Sequence, residues 1–149
     1  TVEAYNPATN TWTIRAPMPT ARFDLAVGVI DGVLYAVGGS SSCCAFNTVE
    51  AYNPATDTWT TKAPMPTIRE ALSASVLGGK LYAVGGYVNG GATGIVEVYD
   101  PKTDTWITEA SMPTPRDGLA TSVVGRRLYA VGGFNESRYL NTVEAFNPL

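Results

Sequence analysis

At 149 residues, with a net charge of −3 and 15% charged residues, the chain has the size and make-up of one globular domain. That charge is too small to point to nucleic acid or an anionic membrane as partner, and no apolar run approaches the roughly 18 residues of a membrane-crossing helix. Histidine is absent, so Ser-His-Asp and Cys-His nucleophilic chemistry and His-ligated zinc, copper or iron are excluded for this stretch.

The elements follow in chain order. TVEAYNPATNTWT (Thr1–Thr13) reads as two short strands about a turn. Residues 22–62 hold four such runs and residues 69–109 four more. In the latter, REALSASVL (Arg69–Leu77) alternates in hydropathy for part of its length, and KLYAVG (Lys80–Gly85) is β-branched and aromatic. VEVY (Val96–Tyr99) and the run about Trp106 complete that group. Residues 116–147 hold three runs. Turn formers lie between them: Gly78-Gly79, Asn53-Pro54-Ala55-Thr56-Asp57 and Pro64-Met65-Pro66. No stretch sustains a 3.6-residue period, so the expected class is all-β with antiparallel pairing.

The runs recur at a strict interval. Tyr5, Tyr52, Tyr99 and Phe146 are each 47 residues apart, as are Trp12, Trp59 and Trp106; Met18, Met65 and Met112; and Arg22, Arg69 and Arg116. The pairs Gly38-Gly39, Gly85-Gly86 and Gly132-Gly133 keep the same spacing. Periods of this size mark solenoids or propellers, and four strands per period fits one propeller blade.

The repeat resembles the kelch motif. YAVGG (Tyr35–Gly39, Tyr82–Gly86, Tyr129–Gly133) precedes VEAYNPATDTW (Val49–Trp59) and VEVYDPKTDTW (Val96–Trp106), and the likeness runs over the whole chain. It implies kelch-type blades of four antiparallel strands, here called a to d from the inner strand outward. In that order residues 1–15 are c-d of a broken blade, 22–62 and 69–109 are full blades, and 116–147 are a-b-c of another, about three blades per chain. Each marker has an ordinary structural role: the glycine pair for a turn and close approach, Tyr52 and Trp59 for packing with satisfied polar ends, Arg69 for bonds within the fold.

Propellers have four to eight blades. Two arrangements are therefore expected: two copies joined in a six-bladed ring, or one piece of a larger propeller. TVEAYNPA and TVEAFNPL would compete for one strand position in the former.

Function is expected where the repeats differ. One zone is the b–c loop: SSSCCAFN (Ser40–Asn47), YVNGGATG (Tyr87–Gly94) and FNESRYLN (Phe134–Asn141). The other follows the repeated arginine: Phe23-Asp24, Glu70-Ala71 and Asp117-Gly118. The resemblance implies that both lie on one face of the ring and grip a protein or peptide partner. Carried over by position, it points to Ser40, Tyr87 and Phe134, then Ser42, Asn89 and Glu136, with Arg138 and Tyr139 beside them. Phe23, Asp24, Glu70 and Asp117 complete the expected surface. The plainer reading is ordinary variable loops.

Two alternatives accompany this non-catalytic reading. One is a structural unit that completes a propeller with another copy. The other is a small-ligand site in which Asp24, Glu70 and Asp117 converge near the central channel to bind a cation or sugar hydroxyls. No cofactor or catalytic residue is expected. Cys43 and Cys44 read as free thiols on a loop; their Cα atoms are about 3.8 Å apart, so a bond between them would be strained. They do not fix a compartment.

Overall fold

The computed structural model describes residues 1–148, and every regular element among them is a β-strand. Strands β1 (Val2–Asn6) and β2 (Thr11–Arg15) form a hairpin. Strands β3 (Ala26–Ile30), β4 (Val33–Val37), β5 (Val49–Asn53) and β6 (Thr58–Lys62) form a four-stranded antiparallel sheet in chain order. Strands β7 (Ser73–Leu77) and β8 (Lys80–Val84) begin a second one. After the small hairpin of β9 (Tyr87–Val88) and β10 (Gly91–Ala92), strands β11 (Val96–Asp100) and β12 (Thr105–Glu109) complete it. Strands β13 (Ala120–Val124), β14 (Arg127–Val131) and β15 (Val143–Phe146) form a three-stranded sheet. The architecture is all-β, as the repeat predicts.

Two details differ from the sequence reading. The inner strand of the second sheet begins at Ser73, not near Arg69. Ala71 sits at φ +51° and breaks the extended path, and the Arg69 backbone is already bonded elsewhere: its N–H to Phe46 O at 3.1 Å, its carbonyl to Gly39 N–H at 2.9 Å. The β9–β10 hairpin is the second difference. Its signal is Asn89-Gly90, at φ +48° and +90°, the dipeptide best suited to a two-residue hairpin turn.

Each sheet packs face to face on the next, which is why the middle strands are apolar on both sides. Leu81 and Ala83 of β8 face the preceding sheet, in a cluster with Ile30, Val37, Val49 and Met65. Tyr82 and Val84 of the same strand face the following sheet, with Val98, Met112, Leu119 and Leu128. Strand alternation thus serves two cores. Each fully buried aliphatic side chain contributes about 1.5–3 kcal/mol through burial.

The glycine pair explains how closely the sheets approach. A Cβ on Gly38 would lie 2.7 Å from the Arg69 carbonyl oxygen, and one on Gly85 would lie 2.6 Å from that of Arg116. Both glycines also hold positive φ, +63° and +62°. Behind each pair, Gly39 N–H and Gly86 N–H donate to those same carbonyls at 2.9 Å.

The repeated arginine is the largest polar element of the interior. Arg69 is fully buried and donates to Glu97 at 2.8 Å, to Gly85 O at 2.8 Å and to Ile95 O at 3.1 Å. Thr67 Oγ1 also donates to Glu97 at 2.8 Å. Arg22–Glu50 (2.6 Å) and Arg116–Glu144 (2.7 Å) repeat the pair. Burial lowers the Arg69 pKa and the Glu97 carboxylate opposes that shift. The arginines are structural, and the glutamates, 47 residues apart on equivalent strands, are their partners.

At the outer edge, Tyr52 and Trp59 stack at 5.1 Å. Tyr52 OH donates to Asp57 at 2.7 Å, Asp57 also accepts Ala16 N–H at 2.9 Å, and Trp59 Nε1–H donates to Ala16 O at 2.9 Å. Tyr99, Asp104, Trp106 and Ala63 repeat this latch with Trp106–Ala63 and Ala63–Asp104 at 2.9 Å. Hairpin β1–β2 is thereby tied to the β3–β6 sheet as one blade's outer strands are tied to the next. On its inner side lies a cleft lined by Val2, Ala4, Met18, Leu25, Val27 and Leu34.

Candidate functional site

The two variable zones are one structural unit. Phe23 pairs with Ser40, Glu70 with Tyr87 and Asp117 with Phe134, each as an antiparallel bridge. The reciprocal hydrogen bonds are 2.9 and 2.8 Å for Phe23–Ser40, 3.3 and 2.8 Å for Glu70–Tyr87, and 3.0 and 2.9 Å for Asp117–Phe134. The link entering each inner strand is thus bonded to the residue after Gly-Gly. Successive links are bonded in turn: Ala71 N–H to Asp24 O and Gly118 N–H to Ala71 O, both 2.9 Å.

The b–c loops close on themselves in the same way. Ser40 bridges Ala45 and Phe134 bridges Tyr139, while β9 and β10 take that role in the middle loop. Phe46, Thr93 and Leu140 each return an N–H to the glycine of their own pair at 2.7–2.9 Å. One backbone frame therefore carries three different tips, which accounts for loops of equal length and unlike sequence.

The expected residues divide by exposure. Tyr139 is 89% exposed and Phe23 55%. Asp24, Ser42, Asn89, Glu136 and Arg138 are exposed, and Glu70, Tyr87, Asp117 and Phe134 are half-buried. Ser40 departs from the expected surface: it is 2% exposed, and its Oγ has no hydrogen-bond partner. A small side chain at this point is buried beside the Gly pair, whereas Tyr87 and Phe134 are half-buried. Phe134 and Tyr139 pack at 5.3 Å into an aromatic ledge. Glu136 reaches the neighbouring loop, accepting Ala92 N–H at 2.5 Å.

The expected trio of carboxylates does not share one repeat position. Glu70 and Asp117 are equivalent by the repeat, but their equivalent in the first unit is Phe23; Asp24 is one residue out of phase. Burial raises the Asp117 pKa, and the charges of Glu136 and Glu70 add to it. Among the described residues no group of three or more His, Cys, Asp and Glu side chains is arranged to hold a metal ion. No helix among them is long and apolar enough to cross a membrane.

Four-stranded antiparallel sheets stacked face to face, with loops gathered at one end, define a β-propeller type of fold. The chain belongs to the kelch-repeat family: the model of the KLHDC2/KLHL20/DRC7 Kelch-repeats domain matches residues 1–149. It is similar to Kelch-like ECH-associated protein 1A of Danio rerio, with 59% identity over 39 residues, 26% of this chain and 6% of that protein. Kelch-like ECH-associated protein 1B of Danio rerio is 48% identical over 48 residues, 32% of this chain and 8% of that protein. Influenza virus NS1A-binding protein of Homo sapiens is 51% identical over 41 residues, 28% of this chain and 6% of that protein. The matched stretches thus span less than a tenth of each relative.

Proposed function

We infer that this chain is a non-catalytic recognition module that binds a protein or peptide through the joined b–c and d–a loops. The observation that carries the reading is the common loop frame: backbone bonds repeat in every unit while the exposed side chains differ. Phe23, Tyr139 and the Phe134 ring supply rigid aromatic contact area, and Arg138 a planar donor group, the types that dominate binding energy at interfaces. The names of its relatives fit it: one is an ECH-associated protein and another binds NS1A.

The test is selection of peptides from a displayed library on the immobilised chain, followed by affinity measurement on variants. Tyr139→Ala and Phe23→Ala are expected to weaken selected peptides by about thirtyfold or more, the effect of losing a contact worth about 2 kcal/mol. Arg126→Ala, in the turn at the other end of β14, is expected to leave affinity unchanged. Equal losses from Arg126→Ala would sink the loop-face reading.

A second reading, self-association through the end faces, has one specific observation in its favour. Val37, Val49, Val84 and Val96 are 0–3% exposed at internal sheet junctions, but their equivalents Val131 and Val143 are 45% and 59% exposed. Trp12 is 66% exposed where Trp59 and Trp106 are half-buried. Light scattering over a dilution series tests it: a stable mass of twice the chain supports pairing of copies, and a monomer removes it.

A further inference from the structure

Cys43 and Cys44 form a second feature of the first loop tip that the recognition reading does not use. Neighbouring side chains on an extended strand point to opposite faces. Here the tip folds back: Ser41 N–H donates to Cys44 O at 2.9 Å, and Ser40 bridges Ala45. The turn brings both sulfurs to one side and into contact with each other, with Ser41 Oγ 3.3 Å from Cys43 Sγ and 3.9 Å from Cys44 Sγ. Both thiols are free and exposed.

Nothing in the fold needs sulfur at this place. The equivalent tip residues are Gly90-Gly91 and Ser137-Arg138, on the same frame. Free cysteine otherwise prefers the interior. Hydrogen bonds from Cys44 and then Ser41 lower the Cys43 pKa, while the bond to Cys43 raises that of Cys44.

We propose that Cys43 and Cys44 form a two-thiolate chelate for a soft, thiophilic acceptor, of which trivalent arsenic is the type. Thiolates select soft acceptors. A tetrahedral zinc site needs four ligands, and no third His, Cys, Asp or Glu joins the pair among the described residues. The acceptor must therefore be satisfied by two sulfurs, its third position carrying its own substituent. An organoarsenical of the form R–As=O meets that need. Two S–As bonds form, the As=O bond is lost, and the oxygen leaves as water with both thiol protons. Arsenic stays trivalent, so no oxidant or reductant enters.

The probe is phenylarsine oxide, read by intact-mass spectrometry of the reduced chain. One phenylarsenic group per chain is expected, retained against a large excess of a monothiol and removed by a dithiol. Cys43→Ser and Cys44→Ser should each lower retention by about a hundredfold, because the second bond is then no longer intramolecular. Both positions are exposed, so both variants should keep the parent's thermal unfolding, which separates lost chelation from lost fold. Equal retention by either single variant, or two arsenicals per parent chain, would overturn the chelate. So would failure of the reduced parent to bind. None of these outcomes bears on peptide binding by Tyr139 and Phe23.

Discussion

Removing the Glu97 carboxylate should expose how much the buried pair holds together. Arg69 has a side chain 0% exposed and Glu97 one 2% exposed. In Glu97→Ala the guanidinium keeps Gly85 O and Ile95 O but loses its counter-charge, and Thr67 loses its acceptor. Breaking a buried pair on one side costs about 3–5 kcal/mol, a large share of the about 5–15 kcal/mol that stabilises an ordinary domain. Glu144→Ala is the control. Its side chain is 17% exposed because, among the described residues, no further sheet covers β15, so water can replace it beside Arg116. The loss there should be nearer the about 1.5–3 kcal/mol of a hydrogen bond to a charged group. Urea unfolding followed by tryptophan fluorescence reads both. With a slope of about 2 kcal/mol per molar, Glu97→Ala should lower the midpoint by about 1.5–2.5 M, and Glu144→Ala by clearly less. Equal midpoints for the two, or a Glu97→Ala loss under about 1 kcal/mol, would refute the argument from burial.

Gly85→Ala should cost at least about 2 kcal/mol more than Gly78→Ala in thermal or urea unfolding. Both glycines are left-handed, at φ +62° and +61°, but only Gly85 faces a neighbour, with Arg116 O at 2.6 Å; equal losses would remove the close-approach explanation. The outer latch should make stability depend on acid. The Asp104 pKa is lowered by the Tyr99 hydrogen bond and then by Ala63 N–H, and Asp57 likewise by Tyr52 and then Ala16 N–H. A depressed folded value means that stabilisation is complete above the unfolded carboxylate pKa of about 3.9 and is lost as pH falls through the folded value. The Asp57→Asn, Asp104→Asn double variant should therefore show a flatter fall of melting temperature below about pH 4 than the parent. An unchanged pH profile would count against the latch. Asn10, which accepts Tyr5 OH at 2.8 Å in the first unit, shows that an uncharged acceptor fits the position.

Much of the candidate site was legible because the repeat supplies its own comparison. Positions that agree across units, such as Gly85 and Trp106, proved to be junction residues, and positions that disagree lie together at the loop end. What escaped was pairing across the chain. Glu50 and Glu97 gave only a periodic acid in an apolar strand; that an arginine 28 residues earlier neutralises each one is a fact of packing. Ser40 shares its repeat position with Tyr87 and Phe134, yet its size lets it sink from the surface. In the Asp24, Glu70 and Asp117 trio, Asp24 is one residue out of phase, since Phe23 occupies the equivalent place.

The sequence by itself determined the strand-and-turn alphabet, the 47-residue period and the kelch resemblance, because alternation, turn chemistry and glycine placement act within a few residues along the chain. Only the tertiary structure decided which side of each strand meets which sheet, which charges are buried together, and that two loop zones 17 residues apart form one bonded frame. It also decided that Cys43 and Cys44 point the same way. Those outcomes depend on the approach of distant backbone segments, where a carbonyl 2.6 Å from an absent Cβ matters more than any local preference.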